Sequence, residues 1–240
     1  MKDALAFRNC TVCYGATPVV HHLSATLPPG SLTGIVGRNG AGKSSLLRAV
    51  LGWLPLTTGA ITLGEAPAAE ARERLHYLPQ RSQIDWDFPV TVREVVAMGR
   101  HGRVGALRRF SSDDQRAIDG ALRELGLDTL QRRQINALSG GQQQRTLLAR
   151  AVASGADVFL LDEPFAALDP SAAADLARRL RAWADQGRLV VVVAHELDLV
   201  RAHATHAMVM NNHLIAAGPV AEAMTDAHLA AAFGRPVAVH

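Results

Sequence analysis

The chain has 240 residues, a formal net charge of +3 and 48% hydrophobic residues. That length suffices for one large domain with a sizeable core, and so high an apolar share excludes a disordered chain. The mild charge lacks the basic footprint of a nucleic-acid binder. No apolar run reaches the roughly 18–20 residues that a bilayer span needs. The longest, Leu189–Ala194, is short and β-branched and reads as a buried strand. The start, Met1-Lys2-Asp3-Ala4, lacks a secretory apolar stretch. The chain is therefore expected in the cytoplasm, with any membrane role exercised through a partner.

In chain order, residues 4–14 and 19–27 alternate as strands do, and Pro28-Pro29-Gly30 is a turn. Cys10 and Cys13, the only cysteines, have a C-x2-C spacing that hints at zinc, but no second ligand pair follows. In a strand they point to opposite faces, which favours a structural reading. Residues 31–36 form an apolar strand, 37–42 the loop after it, and Lys43 to about Gly52 a helix with Leu46, Leu47, Val50 and Leu51 on one face. Thr58-Gly59 is expected to turn into a short strand ending near Leu63, and Leu75–Leu78 is a further strand. From about 90 to 153 the pattern is helical. Pro89 and Thr91 signal a start before Val92, Val95 and Val96, and Ser111-Ser112-Asp113-Asp114 caps a helix through Leu125. Strands at Val158–Leu161 and Leu189–Val193, a helix at Ser171–Ala184 and a hairpin from Met208–Met210 to Leu214–Ala217 complete the chain. Strands alternating with helices imply a mainly parallel sheet.

Chemistry enters at Gly37-Arg38-Asn39-Gly40-Ala41-Gly42-Lys43-Ser44, a G-x4-G-K-S phosphate loop between a strand and a helix. Glycines let backbone N–H groups wrap phosphates, and the helix N-terminus adds a positive dipole. Lys43 neutralises the β/γ oxygens, and the Ser44 hydroxyl suits Mg²⁺. Lysine is scarce here, with only Lys2 and Lys43, and a phosphate loop needs a compact ammonium. The strand Val158–Leu161 ends in Asp162-Glu163, two carboxylates that repel each other unless a cation offsets them. Leu138-Ser139-Gly140-Gly141-Gln142 opens a helix with a hydroxyl and bare N–H groups, a setting suited to an anion.

These three motifs, in this order, resemble the ATP-binding subunit of an ABC transporter, and the resemblance covers nearly the whole chain. It implies an α/β fold: a P-loop NTPase (RecA-like), mainly parallel core, an N-terminal antiparallel β subdomain and an inserted α-helical signature subdomain. Residues 1–240 form one domain, with about 1–89 and 154–240 as the core and about 90–153 as the helical part. ATP and Mg²⁺ are the implied cofactors. Gly37, Arg38, Asn39, Gly40, Ala41, Gly42, Lys43, Ser44 and Ser45 then surround the phosphates. Tyr14 stacks on adenine, or is an ordinary strand aromatic. Ser44, Gln80 and Asp162 serve the Mg²⁺ ion, Asp162 from its outer sphere. Glu163 is the general base that polarises the attacking water, Gln80 contacts that water, and His195 senses the γ-phosphate. Glu196 stands where many relatives have Asp.

Ser139, Gly140, Gly141 and Gln142 meet the γ-phosphate of ATP held by a second copy, so two subunits face head-to-tail. Ala167-Leu168-Asp169 resembles the loop that links the subunits, although Asp169 equally fits a helix cap. The implied partners are that second copy, a transmembrane permease and, indirectly, a substrate-binding protein, with no nucleic acid. The chain then sits on the inner face of the cell membrane. Trp86 and Phe88 suggest the contact patch for the permease, or local packing. The run Asp85-Trp86-Asp87-Phe88-Pro89, with Val95–Arg100, resembles the manganese, zinc and iron importer subfamily. Iron-chelate and haem importers have similar chains, and a soluble non-transport ABC ATPase is the remaining alternative.

Overall fold

The computed structural model describes residues 3–105, 109–166 and 168–234. Met1, Lys2 and Ala167, named above, lie outside the described residues. The first half of the chain contains β1 (Leu5–Tyr14), β2 (Thr17–Leu27), β3 (Leu32–Val36), α1 (Lys43–Val50), β4 (Leu56–Leu63), β5 (Ala66–Pro67), β6 (Leu75–Leu78), α2 (Val92–Met98), α3 (His101–Val104) and α4 (Ser112–Glu124). The second contains α5 (Gly140–Ser154), β7 (Val158–Asp162), α6 (Pro170–Asp185), β8 (Leu189–Val193), α7 (Leu197–His203), β9 (His206–Met210), β10 (Leu214–Pro219), α8 (Val220–Ala223) and α9 (Asp226–Phe233). They fall into two compact units. One comprises the described residues of Met1–Arg72 and Leu160–His240, the other Glu73–Phe159.

Every residue of β3, β7 and β8 is buried, and the first unit holds β3, β8 and the end of β7. Burial on both faces is why these strands read as unbroken apolar runs rather than as alternation. β3 runs parallel to β8 on one side and to β9 on the other. Parallel strands need crossovers: α6 connects β7 to β8, and α7 connects β8 to β9 on the far side of β3. β10 returns antiparallel beside β9, giving the order β10-β9-β3-β8-β7. α6 starts sharply because the Asp169 side chain accepts from the Ala172 N–H at 3.0 Å and Pro170 fills the first helical position. It buries one stripe, Ala173, Leu176, Ala177, Leu180, Trp183 and Ala184. Trp183 is 1% exposed, and truncating such a side chain to Ala costs about 3–5 kcal/mol.

The same unit carries a separate antiparallel sheet, ordered β2-β1-β4-β5. The strand expected to end near Leu63 is β4, which ends there but begins already at Leu56, ahead of Thr58-Gly59. Both residues lie inside β4, where the pairing with β1 shifts register between Arg8 and Thr11. Gly59 has φ +83, and a Cβ there would stand 2.3 Å from the Arg8 carbonyl oxygen. The glycine serves a bulge rather than a reversal, a distinction that the dipeptide cannot make by itself. Cys10 is buried and its thiol donates to the Ala60 carbonyl at 3.1 Å; burial pushes that thiol up from its ordinary value. Cys13 is half-buried and accepts from the Thr57 hydroxyl at 3.1 Å.

The second unit is built from β6, the start of β7, and α2 to α5, with α2, α4 and α5 packed against one another. Arg74, just before β6, pairs with Asp157, just before β7, at 2.9 Å. Each long helix begins with a reciprocal capping box: Thr91 with Glu94, Ser111 with Asp114, and Ser139 with Gln142. Arg100 ties α4 to α5, pairing with Asp114 at 2.7 Å and donating to the Ala153 carbonyl at 3.0 Å. Among the described residues no helix is long and apolar enough to cross a membrane.

Candidate nucleotide site

β3 delivers the chain at Val36 into the loop, and α1 takes over at Lys43. Gly42 turns that corner with φ +87, and a Cβ on it would lie 2.5 Å from the Val19 carbonyl oxygen, so no larger residue fits. The first turn of α1 holds no acidic residue, which leaves its dipole free for an anion. Lys43 is 6% exposed, and its ammonium donates to the carbonyls of Gly37 at 2.8 Å and Arg38 at 2.9 Å, spanning the loop. Burial pushes this ammonium below the ordinary lysine value, while Glu163 and Asp162 pull it back up. Next to it the Ser44 hydroxyl donates to Asp162 Oδ1 at 2.9 Å. Asp162 closes β7 at 1% exposure, so its carboxylate is fixed by strand packing.

Glu163 follows in a left-handed conformation, φ +53, and its N–H donates to the Val193 carbonyl at 3.0 Å. Such a conformation costs a non-glycine residue about 1–3 kcal/mol and persists only where the surroundings over-determine it. The bend aims the carboxylate at His195, whose Nε2 lies 2.9 Å from Glu163 Oε1. His195 leaves the end of β8, and its backbone N–H donates to Glu196 Oε2 at 3.2 Å. Glu196 thus folds back onto the histidine loop. His195 also lines a cleft of about 510 Å³ together with Phe165, Leu168, Pro170, Glu196 and Arg201, so the segment before α6 faces the histidine loop. Asp169 acts as the cap of α6.

The first unit therefore assembles Lys43, Ser44, Asp162, Glu163 and His195 from three separate strand ends. Arg38, Asn39 and Gly40 are exposed at the rim, and Ser45 is half-buried behind Ser44. Tyr14 is 46% exposed and its hydroxyl accepts from Arg48 Nη1 at 2.6 Å. Gln80, Ser139, Gly140, Gly141 and Gln142 belong to the second unit. Gln80 leads into a single helical turn, Arg81–Gln83. Ser139 caps α5, its Oγ accepting from Gln142 N at 3.4 Å while Gln142 Oε1 accepts from Ser139 N at 3.0 Å.

Two residues escaped the reading of the sequence. Arg81 donates to Gln143 Oε1 at 2.8 Å and lies 5.4 Å over the Trp86 ring, joining the loop after Gln80 to the start of α5. Trp86 is half-buried, its indole N–H donating to the Arg81 carbonyl at 3.2 Å, while Phe88 is 56% exposed. Asn212, in the β9–β10 turn, reaches the phosphate loop. In sequence, Asn211-Asn212 signals a turn and nothing more.

Among the described residues no three His, Cys, Asp or Glu side chains cluster so as to hold a metal ion. A cation at Ser44 and Asp162 would draw its remaining ligands from phosphate and water. That hard, oxygen-only donor set fits Mg²⁺, which keeps several waters and takes one or two protein oxygens beside phosphates.

A glycine loop between a buried parallel strand and a helix, a lysine wrapped by that loop, and a strand-end acid pair define a P-loop NTPase with an α/β core. The chain belongs to the ABC transporter family, whose profile matches residues 20–166, and it is an ATPase. It is 38% identical over 226 residues to the manganese transport system ATP-binding protein MntB of Bacillus subtilis, covering 94% of this chain and 90% of that one. It is 37% identical over 231 residues to the zinc transport system ATP-binding protein TroB of Treponema pallidum, covering 96% and 87%. A solved ABC transporter in an inward-facing conformation superposes with a TM-score of 0.87 at 31% identity, covering 98% of this chain and 90% of that one.

Proposed function

We propose that this chain is the ATP-hydrolysing subunit of a metal-ion importer, carrying manganese, zinc or iron, docked on the inner face of the cell membrane through a permease. The observation that carries the reading is the convergence of Lys43, Ser44, Asp162, Glu163 and His195, with Glu163 2.9 Å from His195. The metal cargo is supported by the similarity to the manganese and zinc relatives. We read residues 1–240 as one ABC-type domain whose helical part spans about 90–153.

In this reading the backbone of Gly37–Gly42 and the dipole of α1 bind the triphosphate, and Lys43 balances its β/γ charge. Mg²⁺ would be held by Ser44, with Asp162 and Gln80 assigned to the same ion by the family resemblance, and would supply charge neutralisation at the phosphate oxygens. Glu163 takes the proton from the attacking water, and His195 orients the Glu163 carboxylate and meets the γ-phosphate. Tyr14 stacks on the adenine. Ser139, Gly140, Gly141 and Gln142 of a second copy close the other side of the triphosphate, and Asp169 links the two copies. Loss of the γ-phosphate removes that bridge, and the opening is passed to the permease through the exposed Phe88. A substrate-binding protein takes part only indirectly.

The test is the metal content of cells lacking this chain, grown with limiting metal and measured by mass spectrometry. Accumulation of manganese, zinc or iron should fall and be restored by the wild-type chain but not by Glu163→Gln. Unchanged levels of all three metals would remove the cargo assignment.

A further inference from the structure

Asn212 is tied to the phosphate loop by several hydrogen bonds, although it lies 172 positions from Gly40. Its side-chain amide donates to the Gly40 carbonyl at 3.1 Å and to the Val19 carbonyl at 3.0 Å. Its backbone N–H donates to the Ala41 carbonyl at 3.1 Å, and its own carbonyl accepts from His21 N at 2.7 Å. It holds φ +59, a left-handed conformation in which Asn is several-fold enriched. The neighbouring residues His21 and His213 form an isolated parallel bridge. One turn residue thus joins β2, the phosphate loop and the β9–β10 hairpin.

These contacts govern which way the loop presents its donors. A trans peptide points its C=O and the following N–H in opposite directions. Drawing the Gly40 and Ala41 carbonyls toward Asn212 turns the N–H of Gly42 to the opposite side and fixes the planes of two consecutive loop peptides. Without the amide, Gly40 keeps its positive φ but loses the donor that orients its carbonyl. A glycine loop is conformationally free by composition, and that freedom must be removed before its N–H groups converge on a phosphate.

We propose that Asn212 is a positioning residue that preorganises the Gly40–Gly42 peptides for the β-phosphate of the nucleotide. This rests on the reading that Gly37–Ser44 holds that phosphate. Asn212→Gly keeps the left-handed turn and the backbone N–H but removes the amide. Asn212→Asp keeps the size and faces two carbonyls with a carboxylate.

The experiment measures binding of MgATP and MgADP, steady-state KM and kcat, and thermal unfolding without nucleotide. Asn212→Gly should weaken both nucleotides equally, by about 3–10-fold, the worth of one neutral hydrogen bond. Asn212→Asp should weaken them further. The loss should fall on KM, with kcat within about twofold. Unaltered nucleotide affinity in both variants, or a loss confined to kcat or to thermal stability, overturns the proposal. Lys43→Ala separates the two readings. If it binds nucleotide as the wild type does, the phosphate-loop reading falls; if it weakens binding while the Asn212 variants do not, only the role of Asn212 falls.

Discussion

Glu163→Gln is the most informative single substitution. It preserves the Cβ, so the strain of φ +53 and the N–H bond to Val193 are unchanged. The amide oxygen still accepts from His195 Nε2. What disappears is the charge and the ability to take a proton. Removing a positioned general base costs about 10²–10⁴ in rate, which is about 2.7–5.5 kcal/mol of barrier. Binding should persist, because Lys43, Ser44 and Asp162 remain in place, and Asp162 continues to hold the Lys43 ammonium up. The assay is single-turnover phosphate release at saturating MgATP, with the nucleotide dissociation constant measured in parallel. Because Glu163 and His195 touch, the double variant Glu163→Gln/His195→Ala should be scarcely slower than the worse single one, as groups acting as a unit are non-additive. Hydrolysis near the wild-type rate in Glu163→Gln, or strictly additive losses in the pair, would refute this account.

Ser139→Asp separates capping from ligand contact at the start of α5. Aspartate caps as well as serine does, so the helix stays intact, but its charge opposes a triphosphate presented by a second copy. Monomers should still bind nucleotide, while the ATP-induced dimer, trapped in a Glu163→Gln background and followed by light scattering, should vanish; a dimer of wild-type strength would contradict the head-to-tail arrangement. His76 gives a pH test. Burial, helped by Arg150, lowers it from 6.5 to about 3. The unfolded chain therefore binds more protons than the folded one once pH falls through 6.5. That contribution is present above about pH 6.5 and is lost progressively toward pH 3. His76 Nε2 is buried without a hydrogen-bond partner, so His76→Phe should be neutral or stabilising at neutral pH and should flatten the acid-side loss. Urea unfolding of both proteins around pH 7.5 and around pH 5 checks this, and parallel losses of stability would count against it.

Much of the fold was legible because its causes are local. β8 announces itself as Leu189-Val190-Val191-Val192-Val193, and all five residues are buried. Thr91, Ser111, Ser139 and Asp169 are caps whose partners sit three residues on. The same locality explains why Thr58-Gly59 does not mark the start of β4. A positive-φ glycine serves a turn or a bulge equally well, and the choice depends on β1, some fifty residues away. Trp86 and Phe88 read alike as loop aromatics, and only the structure sets Arg81 over the Trp86 ring.

The amino-acid order alone determined the chemistry available: a glycine loop with its lysine, a strand-end acid pair, a histidine after a buried strand, and a serine-glycine helix start. Each is a contiguous pattern whose physical reason is contained within a few residues. Only the tertiary structure decided how those groups address one another. Ser44 reaches Asp162 across 118 positions and His195 reaches Glu163 across 32. Asn212 steadies a loop whose sequence specifies freedom. No periodicity encodes such distances, because they arise from the order of the strands in the sheet and not from their order in the chain.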